Sequence, residues 1–173
     1  MLYLVFLFLH VIGALIFSAS LAIEWLSLSK LKKAESTDKV TEWLATYSSL
    51  HMISGIAWLL LLIPGIYLMI FVWNNAIWAN IALAGFLLLA VVGSMISVMR
   101  MKPIINEIKN YGYTPGFRIK LNDQLLNFSL KARTTLTIGI VFLMTAKPGL
   151  SESIITLIIA LLLGFLPIQR SKS

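Results

Sequence analysis

Residues 2–23 read LYLVFLFLHVIGALIFSASLAI, twenty-two positions without an acid, a Lys or an Arg. A run of that length matches the ~20 apolar residues needed to cross ~30 Å of hydrocarbon as an α-helix. Further along the chain, Met52–Trp73 and Ile77–Met99 repeat the pattern, a fourth run ends near Ala146, and Leu150–Ile168 is the last. The expected fold is all-α: a polytopic membrane helix bundle with five transmembrane helices, forming a single integral membrane domain over residues 1–173. Its approximate spans are 2–24, 50–73, 77–99, 127–146 and 150–168.

Charge orients these spans. Thirteen of the fourteen Lys and Arg residues fall on one face of the membrane: Lys30, Lys32, Lys33 and Lys39 after the first span, seven from Arg100 to Arg133, and Arg170 and Lys172 at the end. Only Lys147 falls on the other. Basic residues near helix ends stay in the cytoplasm, so the expected topology is N-out/C-in. Composition agrees. With 59% hydrophobic residues, 12% charged and a mean hydropathy of +0.91, the chain has too little polar surface for a soluble domain. The net charge of +7 flanks the spans without forming a continuous patch, so anionic lipid headgroups on the cytoplasmic side are expected as partners and nucleic acid is not. Zero cysteines exclude disulfides, thiolate metal sites, covalently attached haem and cysteine nucleophiles. The first span lacks a basic n-region and is followed by Lys30 to Lys33, so it reads as a retained helix and not as a signal peptide.

Between the spans, Glu35-Ser36-Thr37-Asp38 interrupts the apolar pattern, with Thr37 or Asp38 as the expected N-cap of a helix leading into the second span. Pro64-Gly65 predicts a bend in that span, where a neighbouring helix must satisfy the freed carbonyl. Trp73-Asn74-Asn75 and Trp78-Ala79-Asn80 predict a tight external turn and an antiparallel hairpin of the second and third helices. Arg100 to Asp123, with Pro103, Gly112 and Thr114-Pro115-Gly116, reads as cytoplasmic loop with one amphipathic turn at Ile104–Ile108, after which Asn122 or Asp123 caps the fourth helix. That helix has only thirteen uncharged residues from Thr134 to Ala146, which places Lys131 and Arg133 within the cytoplasmic half of the bilayer.

His10 lies about four residues outward of the first span's midpoint, roughly 6 Å at 1.5 Å per residue. On the helical period it shares a face with Gly13, Phe17, Ser20 and Glu24, a polar stripe expected to point into the bundle. An ionisable group at that depth is costly, which makes His10 the candidate cofactor-binding and metal-binding residue: a haem axial ligand, a quinone hydrogen-bond donor or a proton relay. The alternative is a neutral imidazole bonded to a hydroxyl or carbonyl of a neighbouring helix. His51 starts the second span on a face with Tyr47, Ser54, Gly55 and Trp58, roughly 20 Å from His10 along the membrane normal, too far for the two to share one haem. Glu24, His51, Lys131 and Arg133 form a polar intramembrane cluster near one level. Lys131 and Arg133 point about 200° apart, so Arg133 is expected to pair with Glu24 and Lys131 to reach the headgroups. Met95 and Met99 suit Cu(I) but are read as packing, and Gly93 with Ser97 as a helix contact. No phosphate loop, nucleotide fold or Ser/His/Asp constellation is present.

Leu9-His10-Val11-Ile12-Gly13-Ala14 on an N-out first helix resembles the start of small bacterial membrane proteins related to copper resistance protein D and to the HemJ-type protoporphyrinogen oxidases. Arg133 and Met144-Thr145-Ala146-Lys147-Pro148-Gly149 are similar to the late helix of a neighbouring bacterial integral-membrane family of unknown function. The resemblance implies a multi-pass protein of the bacterial inner (cytoplasmic) membrane. From the HemJ-type likeness it implies that His10 works beside haem. Together with the residues, it leads to the expectation of haem b or a porphyrin bound near His10 for redox chemistry. A small metal-handling or proton-coupled permease gated near Glu24 and Arg133 is the second reading, and an accessory or assembly subunit without catalysis the third. Further expected partners are the lipid bilayer and other membrane subunits, as a homo-oligomer or a larger complex.

Overall fold

The computed structural model describes residues 1–112 and 120–165, and no strand occurs among them. Helix α1 spans Leu2–Lys33, roughly 48 Å at 1.5 Å per residue, so it continues well past its apolar run. Ala34 ends it in extended backbone, and α2, Thr37–Phe71, follows directly. The cap of α2 is Ser36, one residue before the expected Thr37 or Asp38: its Oγ accepts the Lys39 backbone N–H at 3.5 Å. Thr37 is already helical and uses its own carbonyl to accept the Thr41 hydroxyl. Helix α2 runs unbroken through Pro64. It ends in a turn at Asn74 and Asn75, with φ of 46° and 54°, a left-handed conformation that Asn tolerates better than most residues.

Helix α3, Ile77–Val91, continues through one π-helical turn, Val92–Ile96, into α4, Ser97–Tyr111. This corrects the loop expected from Arg100 onward. Met101, Ile104 and Ile108 recur at helical spacing and are buried, while Lys102, Pro103 and Asn106 face outward, so Pro103 sits in the helix with its ring in open surroundings. Gly112, at φ 69°, closes α4 by donating its N–H to the Ile108 carbonyl at 3.0 Å. The expected turn at Thr114-Pro115-Gly116 lies outside the described residues, as do Arg118, Pro167, Arg170 and Lys172. Helix α5 is Gln124–Ala146, beginning immediately after Asp123 as expected, and α6 is Leu150–Phe165. Lys147 joins them at φ 48°, its ammonium 5.8 Å from the centre of the Trp78 ring.

Two compact units result, residues 1–76 with 98–123 and residues 77–97 with 124–173. In the first, α1 and α2 pack antiparallel, as the partners show: Phe6 stacks on Tyr67 at 3.9 Å, His10 meets Leu61, Ser20 meets Ser54, and Glu24 meets Tyr47. The helices touch most closely at Gly13, where an added Cβ would stand 2.9 Å from the Leu60 carbonyl carbon. Arg100 pairs with Asp123 at 3.2 Å, and Lys120 with Glu107. In the second unit α3, α5 and α6 contact one another through small residues. Gly85 faces Leu157, Gly139 faces Ala160, and a Cβ on Gly164 would stand 2.8 Å from the Ala132 Cα.

Candidate functional site

All five residues of the stripe read from the sequence, His10, Gly13, Phe17, Ser20 and Glu24, lie on the buried face of α1. His10 is only 8% exposed, and its Nδ1 lies 2.9 Å from the Leu61 carbonyl oxygen on α2. A carbonyl can only accept, so Nδ1 must carry the proton and donate it. The neutral ring then has its lone pair on Nε2, an atom that is buried and has no hydrogen-bond partner among the described residues. Pro64 offers no N–H to the turn that ends at it, and Gly65 offers no side chain: an added Cβ at 65 would meet His10 Cε1 at 3.0 Å and Nδ1 at 3.2 Å. The imidazole therefore lies against a position of α2 that has no side chain to displace it. A contact to a carbonyl of the neighbouring helix is what the alternative reading of His10 expected from the sequence. The sequence did not show that Leu61 supplies it.

Toward the other end of the same face a second polar group is built. Glu24, also 8% exposed, accepts the Tyr47 hydroxyl at 3.1 Å. Ser20 donates to the Phe17 carbonyl at 2.7 Å and accepts from Ser54 at 3.0 Å. Ser27 is fully buried and its hydroxyl has no partner among the described residues. Tyr47 was legible as a neighbour of His51 on its helix face but not as a donor to Glu24. Its loss is testable: Tyr47→Phe should lower stability in detergent by about 0.5–1.5 kcal/mol, the usual net worth of a side-chain hydrogen bond, and by much less in a Glu24→Ala background. An equal cost in both backgrounds would dismiss the bond.

Of the other residues singled out, His51 lies on α2 and is placed by its backbone alone. The α1–α2 register sets residue 51 opposite the Ser20 region, about ten residues and roughly 15 Å along the helix from Leu61, the partner of His10. Lys131 and Arg133 are half-buried on α5, in the second unit, whereas Glu24 belongs to the first. The Arg133 stem lies across Gly93 of the π-helical turn, 2.5 Å from where a Cβ would stand. One turn earlier on α5, Ser129 donates to the Val92 carbonyl at 3.0 Å, so two residues of α5 fit the shifted backbone of that turn. Among the described residues no three His, Asp or Glu side chains gather as a metal site.

Comparison with family models, with curated proteins and with solved structures finds no match for this chain.

Proposed function

We propose that this chain is a multi-pass integral membrane protein that holds a haem-type tetrapyrrole through His10. The observation that carries the reading is the His10 imidazole itself. It donates Nδ1–H to a backbone carbonyl and keeps a buried, unengaged Nε2, the arrangement in which a histidine serves as a metal ligand. One imidazole nitrogen cannot by itself hold a bare ion, which needs several protein donors. It could supply a ligand to an iron already held in a macrocycle. Bound there, haem b would supply one-electron redox chemistry, while the chain would orient it and exclude water.

The membrane reading is supported by how little of the long apolar helices is covered. Only 28% of the most apolar window of α1 and 17% of that of α2 is buried, whereas the core helix of a soluble protein would be mostly buried. Leu4, Phe8, Val11 and Leu15, on the face of α1 away from His10, are exposed, and lipid is their natural solvent. In this proposal the five spans rest on the apolar runs, the N-out/C-in orientation on the charge distribution, and the bacterial inner membrane on the resemblance of the first and late helices. With a C-terminal fusion, alkaline phosphatase should be inactive and green fluorescent protein bright, and the reverse pattern would remove the orientation. The haem reading is tested by the visible spectrum of the detergent-purified protein, which should show a Soret band as isolated or after haem reconstitution. A colourless, haem-refractory protein would remove it.

A second reading, a proton-coupled or metal-handling permease, is favoured by Glu24. A buried carboxylate with a phenol donor and three serines on the same seam is costly in an apolar helix pair unless it has a task. Flux in proteoliposomes that is lost on Glu24→Gln, in protein that binds no haem, would establish it over the first.

A further inference from the structure

From the contacts around Leu61 and Gly65 we infer that α2 locks His10 in one tautomer, and that the lock sets the chemical class of ligand the site accepts. The Leu61 carbonyl takes the Nδ1 proton, so the ring can offer only an electron pair at Nε2. An electron pair recognises an electron-deficient partner, either a Lewis-acidic metal centre or a hydrogen-bond donor. It repels a bare acceptor such as the carbonyl oxygen of an oxidised quinone. Where the ring could have served as a quinone hydrogen-bond donor on sequence alone, the Leu61 contact removes that role from Nε2.

Gly65 is the positioning residue. Its missing side chain leaves room for the Nδ1–Cε1 edge of the imidazole, and an alanine methyl would press on that edge at 3.0 and 3.2 Å. The ring would have to give by a few tenths of an ångström, which strains the Nδ1–Leu61 bond and weakens its hold on the tautomer. Gly55 on the same helix provides the control, since a Cβ there meets nothing within 4 Å. On the proposed haem reading, the lock predicts that iron protoporphyrin binds better than the same macrocycle without metal, because the iron is what the electron pair engages.

The experiment uses the full chain in detergent, labelled with 15N-histidine in a His51→Gln background so that a single imidazole reports. The expected spectrum has a protonated Nδ1 and an unprotonated Nε2. Gly65→Ala should mix or reverse the tautomer, and Gly55→Ala should leave it unchanged. In parallel, iron protoporphyrin should bind at least about tenfold more tightly than metal-free protoporphyrin, Gly65→Ala should weaken the iron form about tenfold, as loss of an orienting hydrogen bond does at metal sites, and an oxidised short-chain quinone should not compete. A protonated Nε2 in the unmodified site, an equal response to Gly65→Ala and Gly55→Ala, or a quinone that competes with haem would overturn the inference. If Gly65→Ala does not fold, the spectrum of the parent protein decides alone. A locked Nδ1–H tautomer in a protein that binds no tetrapyrrole would uphold the lock and defeat only the haem reading.

Discussion

His10→Ala should abolish the Soret absorbance of the reconstituted protein, or weaken haem binding by at least ~100-fold, while His51→Ala stays near the parent value. The asymmetry follows from the register of the hairpin. Iron must lie about 2 Å from a ligating nitrogen, and residue 51 stands roughly 15 Å along α2 from the turn that holds His10, so the two cannot grip one iron from opposite faces. Haem held here would therefore draw its histidine ligand from His10 alone, and the spectrum should be that of a single-histidine haem. Removing the imidazole also leaves the Leu61 carbonyl without its side-chain donor, at a cost of about 1 kcal/mol. His10→Gln separates the effects, since its amide can still donate to Leu61 but makes a poor iron ligand: stability should recover while absorbance does not. Equal loss of absorbance from His10→Ala and His51→Ala would end the single-ligand account.

Side-chain periodicity made much of this site legible. Positions 10, 13, 17, 20 and 24 fall on one face of any α-helix, and that face is the buried one. What the sequence could not show is the backbone on the other side of the contact. Leu61 presents a carbonyl, which every residue has, and its role becomes visible only when the register brings it to His10. The nearest available signal was Gly65, whose missing side chain leaves room for the ring. Helix α4 was hidden for a different reason. Its buried apolar positions, Met101, Ile104 and Ile108, stand among charged and amide residues, and Pro103 reads as a breaker because it removes a backbone donor from the helix. The π-helical turn at Val92–Ile96 has no residue signature at all, being a one-residue shift in hydrogen-bond register. Tyr47 was missed as a donor to Glu24 because its hydroxyl carries no charge to mark it in the sequence.

The close contact at Gly13 carries the other large effect. An added methyl there would stand 2.9 Å from the Leu60 carbonyl carbon and 3.0 Å from both Leu60 Cβ and Leu61 N, two of the three being backbone atoms that cannot rotate away. Gly13→Ala should therefore force α1 and α2 apart near His10. The expected loss is about 1–3 kcal/mol from overpacking, with about 1 kcal/mol more if Nδ1 is drawn off Leu61. Gly55→Ala meets no atom within 4 Å, so it should be neutral or stabilising by up to about 1 kcal/mol through helix propensity. Unfolding of the detergent-solubilised protein by added SDS compares the two directly. Because the same separation moves the imidazole, Gly13→Ala should also weaken haem binding although residue 13 offers no ligand. In a His10→Ala background, which has no donor to Leu61 left to lose, its excess cost over the packing term should shrink. Parent-like stability in Gly13→Ala would mean that the helices do not approach as closely as the Leu60 contact requires, and the position assigned to His10 against Leu61 would fall with it.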